Sequence, residues 1–192
     1  MSKHTLLKQF CETHIRYVKL FNHLLKRIDV FNSENVLIEE MAKLTLNKKF
    51  RRRNFPEDVS ETMVRFIIWR NTGIMPVQNS KGDLLYLGKN VEVKAFISDG
   101  PSSFGPSESW DEIYFLDLTQ VHTGNRSKII LYKINLPMES KEWQAIKVNQ
   151  KESMGDQQRS GRRPRIQFSK VQDQLDSKFI CVEYDGYFED LL

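Results

Sequence analysis

The sequence predicts an α/β (α+β) fold, in which a mixed β-sheet is flanked by helices and preceded by a helical N-terminal subdomain. No glycine or proline precedes Pro56, which favours long helices in this part of the chain. Short segments rich in valine, isoleucine, tyrosine and phenylalanine follow, as expected for strands of a partly buried sheet. The 192 residues are enough for one domain with a hydrophobic core and a small helical appendage.

Residues 1–53 are predicted to form two helices that serve as a helical arm or a dimerisation subdomain. Asn32 or Ser33 is a candidate N-cap that separates the two helices, of which the second ends near Lys49. The first helix is predicted from about His4 to Val30 because apolar residues recur at helical spacing. These residues are Leu6, Phe10, Tyr17, Phe21, Leu24 and Ile28. The buried side of the second helix is predicted to contain Leu37, Met41 and Leu44.

Residues 54–192 are predicted to form the core domain. A helix is expected from Pro56 to about Asn71, because proline favours a first turn and Gly73 marks the end. The predicted strands are Asp83–Leu87, Val91–Ile97, Ile113–Leu118 and Ile129–Ile134. The turn Gly88-Lys89-Asn90 predicts that the first two strands form a hairpin. A loop from Ser98 to Ser109 follows the hairpin, and the end of the chain is predicted to hold a helix or a strand.

The composition excludes several classes of protein and indicates a polyanionic partner. Cys11 and Cys181 are far apart, and the four histidines are scattered, so zinc sites and disulfide scaffolds are disfavoured. Without a long apolar segment or a signal peptide, a cytoplasmic protein away from the membrane is expected. Residues 1–53 hold 12 Lys/Arg against 5 Asp/Glu, and residues 147–170 hold 7 against 2. Two basic regions are typical of proteins that bind nucleic acid.

The predicted hairpin carries the residues that indicate catalysis. Glu92 and Lys94 project to the same side of one strand, and Asp83 lies on the adjoining strand. Two carboxylates at Asp83 and Glu92 can hold Mg²⁺, and Lys94 can orient or help deprotonate the attacking water. The simpler interpretation of this spacing is a solvated hairpin with a cross-strand ion pair. Taken alone, the spacing also arises by chance in many proteins.

The arrangement of a helix followed by this hairpin resembles the PD-(D/E)xK nuclease superfamily. The resemblance implies a restriction-endonuclease-like core and adds Glu61 of the preceding helix to the candidate catalytic residues. Gly82, rather than proline, precedes Asp83, which departs from the motif at a variable position. An exposed helical glutamate is the alternative interpretation of Glu61.

Longer sequence segments are similar to those of a family of small type II restriction endonucleases that cut at the interrupted sequence GC-N-GC. The segments include Ser103-Phe104-Gly105-Pro106, Glu108-Ser109-Trp110-Asp111-Glu112-Ile113-Tyr114-Phe115-Leu116-Asp117 and Gly161-Arg162-Arg163-Pro164-Arg165. This resemblance covers about residues 56–165. It implies a homodimer that hydrolyses double-stranded DNA with Mg²⁺ at a short palindromic site. It also implies a cognate DNA methyltransferase in the same system.

Residues 151–165 are predicted to be the DNA-recognition segment. Arginine can pair with guanine and glutamine with adenine in the major groove. The candidate residues are Gln157, Gln158, Arg162, Arg163 and Arg165. Ser102 and Ser103, in the loop after the catalytic strand, are candidate phosphate ligands. Whether the arginines read bases or contact only phosphates stays open.

Two other functions remain open at the level of the sequence. A DNA-binding regulator without catalysis could carry the same basic regions, with an acidic hairpin that is purely structural. A repair or junction-resolving nuclease could use the same catalytic residues and recognise DNA shape rather than sequence. Trp110, Tyr114 and Phe115 are expected to pack in the core rather than stack on bases.

Overall fold

A computed structural model of the chain describes residues 3–45, 54–79, 82–121 and 126–192. The helices are α1 (Lys3–Leu44), α2 (Glu57–Thr72), α3 (Lys141–Ala145), α4 (Met154–Arg159) and α5 (Phe168–Gln174). The strands are β1 (Val77–Gln78), β2 (Leu84–Tyr86), β3 (Lys89–Phe96), β4 (Ser102–Ser103), β5 (Glu112–Asp117), β6 (Lys128–Ile134), β7 (Arg165–Ile166) and β8 (Ile180–Tyr187). Two short 3₁₀ helices, Ser177–Phe179 and Phe188–Leu191, flank β8.

The sheet is mixed, which confirms the predicted α/β class. Six strands lie in the order β1-β2-β3-β5-β6-β8, and β4 pairs with β7 in a separate two-stranded ribbon. Strands β3 and β5 run parallel, whereas the other neighbouring pairs are antiparallel. The connection from β3 to β5 is the loop that contains β4. This crossover therefore contains the predicted phosphate ligands Ser102 and Ser103.

Helices cover both faces of the sheet. Because side chains alternate along each strand, one strand contributes residues to the cores on both faces. Tyr114 and Leu116 of β5 pack into a core with α1 and α2. Ile113 and Phe115 face the opposite way, into a second core that includes Trp110 and residues of α3, α4 and α5. Trp110, Tyr114 and Phe115 are all buried, as predicted for residues that pack rather than stack on bases. The candidate catalytic strand β3 lies between these two layers.

The N-terminal region forms one helix in the described residues, so the prediction of a break at Asn32 and Ser33 is wrong. The Ser33 hydroxyl donates to the Asp29 carbonyl oxygen at 2.9 Å, and the Asn35 amide donates to that of Phe31 at 3.0 Å. These side chains bond backwards within the helix instead of capping a new one. The buried face consists of Phe21, Leu24, Ile28, Phe31 and Asn35.

Leu37, Met41 and Leu44 are all exposed in the single chain, so the prediction that they form a buried side is wrong for packing within one chain. They lie on a different side of α1 from Phe31, because the unbroken helix continues the rotation of its first half. The side chains of Leu6 and Phe10, and the basic segment from Lys48 to Arg53, lie outside the described residues.

Helix α2 confirms its prediction, and Pro56 stands at its N-cap, followed by Glu57 and Asp58 in the first turn. Gly73 ends the helix with φ of 73°, a conformation that glycine adopts without strain, and its N–H donates to the Trp69 carbonyl at 2.7 Å. None of the described helices has the length and apolar character needed to span a membrane.

The hairpin exists, but its turn lies earlier than Gly88-Lys89-Asn90. Leu87 and Gly88 form the turn with φ of 50° and 80°, and Tyr86 pairs with Lys89. Two consecutive positive φ values are typical of the tight turn that matches strand twist. Lys89 and Asn90 therefore belong to β3. Asp83 lies one residue before β2 rather than within it.

Candidate active site

A cleft of about 960 Å³ lies between the start of α2, the β2–β3 hairpin and the loop that follows β3. All four predicted catalytic residues line it, and so do four of the predicted DNA ligands. These eight residues are Glu61, Asp83, Glu92, Lys94, Ser102, Ser103, Arg163 and Arg165. Residues that are far apart in sequence thus share one solvent-accessible space.

Strand β3 sets the position of Glu92 and Lys94. Val91 and Val93 point into the core beside α2, so Glu92 and Lys94 project from the other face. The Lys94 ammonium group donates a hydrogen bond to Glu92 Oε1, and both side chains are mostly buried. The alternation of apolar and charged residues along β3 therefore places a carboxylate and an ammonium group side by side, as predicted.

Asp83 is held at the end of the hairpin by main-chain hydrogen bonds. The Asp83 N–H donates to the Val91 carbonyl at 3.1 Å, and the Val93 N–H donates to Asp83 Oδ2 at 2.7 Å. The carboxylate thus accepts the N–H of Val93, which lies beyond the residues of β3 that pair with β2. This bond fixes Asp83 against β3, the strand that carries Glu92.

The carboxylates of the cleft are poorly compensated by positive charge. Burial, with the proximity of Asp83, raises the pKa of Glu92 to about 7 despite the opposing effect of Lys94. Burial and the nearby Asp83, Glu57 and Asp58 raise the pKa of Glu61 to about 7. Burial also raises the pKa of Asp83. The group therefore favours any cation that can enter it, including protons.

Glu108 is a further residue of the site that the sequence patterns did not indicate. Its Oε2 lies 3.5 Å from the Lys94 ammonium nitrogen. The loop returns to the cleft through a turn in which the Glu108 N–H donates to the Gly105 carbonyl at 3.3 Å. A Cβ atom at Gly105 would lie 3.0 Å from Glu108 Oε1, so glycine leaves room for this carboxylate. A glutamate two residues beyond a Gly-Pro turn was the only sequence signal.

The surroundings of Lys94 favour its protonated, ammonium form. Burial lowers its pKa, but Glu92, Glu108 and Asp83 together outweigh burial and raise the pKa above the usual value. The ammonium also lies 5.6 Å from the centre of the Phe104 ring. Lys94 is therefore suited to donate hydrogen bonds rather than to accept a proton.

The donor set of the cleft fits a hard divalent cation. Asp83 and Glu92 each have one carboxylate oxygen engaged by a protein N–H, and the described residues provide no hydrogen bond to the other. Among the described residues, no three histidine, cysteine or acidic side chains are grouped as a complete metal-binding cluster. A cation at this site would thus take two carboxylates from the chain and its remaining ligands from water and phosphate, as Mg²⁺ commonly does.

Ser102, Ser103 and Arg165 are joined by the ribbon of β4 and β7. Ser102 pairs with Ile166, Ser103 pairs with Arg165, and the Phe104 N–H donates to the Pro164 carbonyl at 3.0 Å. The Ser103 hydroxyl is buried without a hydrogen-bond partner among the described residues. The two predicted DNA-binding segments therefore form one unit at the cleft.

Gln157, Gln158 and Arg162 do not line the cleft. Arg162 and Gln157 both bind the Glu152 carboxylate, from Nη1 and Nε2 at 3.1 Å each. The Gln158 side-chain oxygen accepts a hydrogen bond from Gln144 at 2.9 Å. Within the described residues, these three side chains stabilise the segment around α4, whereas Arg163 and Arg165 are exposed toward the cleft.

Comparison with known proteins identifies the family. The model of the Bsp6I restriction endonuclease family matches residues 25–174, a range that contains the hairpin, the ribbon and every residue of the cleft. The type II restriction enzyme Bsp6I of Bacillus sp. (strain RFL6) is 33% identical over an alignment of 146 residues, and the match covers 70% of this chain and 74% of that protein. No solved structure matches the chain. The chain belongs to the Bsp6I restriction endonuclease family, whose members are type II restriction enzymes.

Proposed function

We propose that the chain is a Mg²⁺-dependent type II restriction endonuclease whose catalytic residues are Asp83, Glu92 and Lys94, with Glu61 as a fourth. The observation that carries this proposal is a cluster of carboxylates with too little positive charge beside it. The cluster lies in a cleft that also exposes Arg163 and Arg165. A structural hairpin has no reason to bury carboxylates against one another, because burial of charge without full compensation is costly.

The cleft has an acidic part and a basic part, and together they fit a phosphodiester bound to a cation. Asp83, Glu92 and Glu61 supply negative charge that attracts the cation. Arg163 and Arg165 supply positive charge that attracts the phosphates of the DNA backbone. A purely basic groove would support binding alone, so the acidic part of the lining favours an enzyme over a DNA-binding regulator.

The chain's own residues support hydrolysis in complementary ways. Bound Mg²⁺ supplies charge that stabilises the phosphoryl oxygens and lowers the pKa of water. Asp83, just before β2, and Glu92, on β3, would hold the ion from the two sides of the hairpin. Lys94, as an ammonium group, orients the attacking water and offsets negative charge in the transition state. Its raised pKa favours this role over that of a general base.

Membership of the family supports a proposal for the target and the partners. We propose double-stranded DNA with a short palindromic site similar to GC-N-GC, read in part by Arg163 or Arg165. A palindrome and a cut in both strands are matched by a homodimer with two clefts. A cognate DNA methyltransferase would protect the host DNA without forming a stable complex with this protein.

The proposal is tested by incubating plasmid DNA with the purified protein, with Mg²⁺ or with EDTA. Discrete fragments are expected only with Mg²⁺, and the fragment ends give the target and the cut position. Lys94→Ala should abolish cleavage while the protein remains folded and still binds DNA. Tight binding with no cleavage of any substrate would favour a regulator, and cleavage only at branched DNA would favour a structure-specific nuclease.

A further inference from the structure

Helix α1 carries a second apolar face that the domain does not cover. Val30, Leu37, Met41 and Leu44 are exposed by 55%, 59%, 53% and 81%. Their spacing of seven, four and three residues places them within an arc of about 60° at 3.6 residues per turn. We define these four residues as the α1 stripe. They lie apart from the face with Phe21, Leu24, Ile28 and Phe31, which packs against the domain.

The spacing of the α1 stripe is the one that pairs helices along a seam. Apolar residues separated alternately by three and four positions let one helix pack against another over several turns. Scattered apolar residues on a protein surface are normal, but four that share one face of a helix, with a polar position only at Ser33 or Glu34, mark an interaction site. The α1 stripe is therefore suited to receive another helix.

The charges beside the stripe indicate which helix it receives. Lys26, Ser33 and Glu40 are exposed, seven residues apart, along one edge of the stripe. When two copies of α1 run antiparallel about a twofold axis near Ser33, Lys26 of each copy faces Glu40 of the other. The same register brings Val30 beside Leu37 of the second copy. In a parallel pair, each edge of the stripe would face the opposite edge of the other copy, so Lys26 would not meet Glu40.

We propose that the α1 stripe is a homodimer interface on which a second copy of this chain packs its own α1 in the antiparallel direction. This inference rests on the proposed function only for the reason that two copies are needed. The interface lies one layer from the cleft, because Phe31 packs against Phe55 and Phe55 lines the cleft. The paired helices would overlap from about residue 23 to residue 44, a length of about 33 Å.

The first test is the mass in solution, measured by light scattering without DNA or metal. The wild-type chain should have twice the 22.7 kDa of one copy. The variant Leu37→Glu/Met41→Glu should be monomeric, with self-association weakened by at least about 100-fold, because four carboxylates would enter the apolar seam. Val36→Glu is the matched control, since Val36 is 54% exposed on the same helix but off the stripe, and it should remain dimeric.

The second test is a charge exchange that does not alter the apolar residues. Lys26→Glu and Glu40→Lys should each weaken the dimer, because each places like charges opposite one another. The double variant Lys26→Glu/Glu40→Lys, and an equimolar mixture of the two single variants, should restore it. A monomeric wild-type chain, a dimeric Leu37→Glu/Met41→Glu variant or a charge exchange without effect would overturn the inference. Because mass is measured without catalysis, failure of the catalytic assignment would leave these results unchanged.

Discussion

Two buried glutamates on neighbouring strands have opposite electrostatic surroundings. Glu92 of β3 is 3% exposed and Glu112 of β5 is 4% exposed, and these residues lie one register position apart in the parallel pair of strands. Glu112 binds the ammonium groups of Lys89 and Lys133, and these two lysines lower its pKa although burial acts to raise it. Burial raises the pKa of Glu92 to about 7, and Asp83 and Glu108 add to the effect against Lys94.

The difference separates a structural charge from a functional one. Glu112 has two cationic partners, so its charge is satisfied within the fold. Among the described residues, Glu92 shares the cation Lys94 with Glu108 and lies near Asp83, so negative charge remains in excess. A buried acid by itself thus indicates little, whereas a buried acid that lacks compensation and lines a cleft indicates a cation site.

The largest expected contrast is between Glu92→Gln and Glu112→Gln. Glu92→Gln should lower the cleavage rate by about 10²–10³-fold or more, because it removes charge that holds the cation. Glu112→Gln should leave the cleavage rate within a few-fold but reduce stability by about 2–3 kcal/mol, because two lysines would be left without their partner. Plasmid cleavage and thermal unfolding measure the two effects. If Glu92→Gln still cuts at the wild-type rate, the contrast disappears.

The next effect concerns Glu108, the second acceptor for Lys94. Glu108→Gln should lower kcat by about 10-fold or more without changing KM for DNA, because the ammonium group would no longer have the carboxylate that draws it from Glu92. Glu108→Asp should recover part of the rate. Glu139→Gln serves as the exposed control. A rise in KM with constant kcat would instead assign Glu108 to DNA binding.

A third contrast distinguishes the arginines of the recognition segment. Arg163→Ala and Arg165→Ala should each weaken DNA binding by about 10-fold, and the removal of one ion pair with a phosphate should reduce the slope of log affinity against log salt by about 0.9. Arg162→Ala should change binding little, because this side chain is bound to Glu152. Fluorescence anisotropy with a labelled duplex, at several salt concentrations and with EDTA, measures these values. Equal effects for all three variants would remove the distinction.

The smallest expected effect is on stability and depends on pH. The folded chain raises the pKa of Glu61 to about 7, so the folded state binds more protons than the unfolded state between about pH 4.5 and 7. Its stability therefore decreases as pH rises through this range. Without metal, Glu61→Gln should raise Tm at pH 8 by roughly 2–4 °C, the effect of about 1 kcal/mol in a chain of this size.

The same substitution should have little effect at pH 4.5, where Glu61 is protonated in the wild-type chain. Glu139→Gln controls for removal of an exposed carboxylate. A Tm that falls at pH 8, or rises equally at both values of pH, would show that Glu61 is compensated in the fold.

The sequence predicted the features that depend on local pattern. The alternation along β3 correctly placed Glu92 and Lys94 side by side, and Gly73 marked the end of α2. The N-cap signals at Asn32 and Ser33 were misleading, because serine and asparagine side chains can also bond backwards to helix carbonyls, as Ser33 does. The wrong prediction that Leu37 and Met41 are buried followed from this misplaced helix boundary.

Features that depend on the path of a loop could not be predicted. Glu108 reaches Lys94 only because the loop after β3 turns at Gly105 and returns to the cleft. Arg162 and Arg163 are adjacent and alike in sequence, yet Glu152 binds the first and leaves the second at the cleft. Tertiary ion pairs of this kind are not encoded in residue spacing.

The central claim, that the excess negative charge around Glu92 is a cation site, is tested most directly by calorimetric titration of Mg²⁺ into the DNA-free protein at pH 7. In two buffers of different ionisation enthalpy, wild-type protein should bind Mg²⁺ with release of protons, because the pKa of Glu92 and of Glu61 is about 7. Glu112→Gln should bind in the same way, and Glu92→Gln should bind Mg²⁺ at least about tenfold more weakly. Equal Mg²⁺ affinity in wild-type protein and Glu92→Gln would contradict the account.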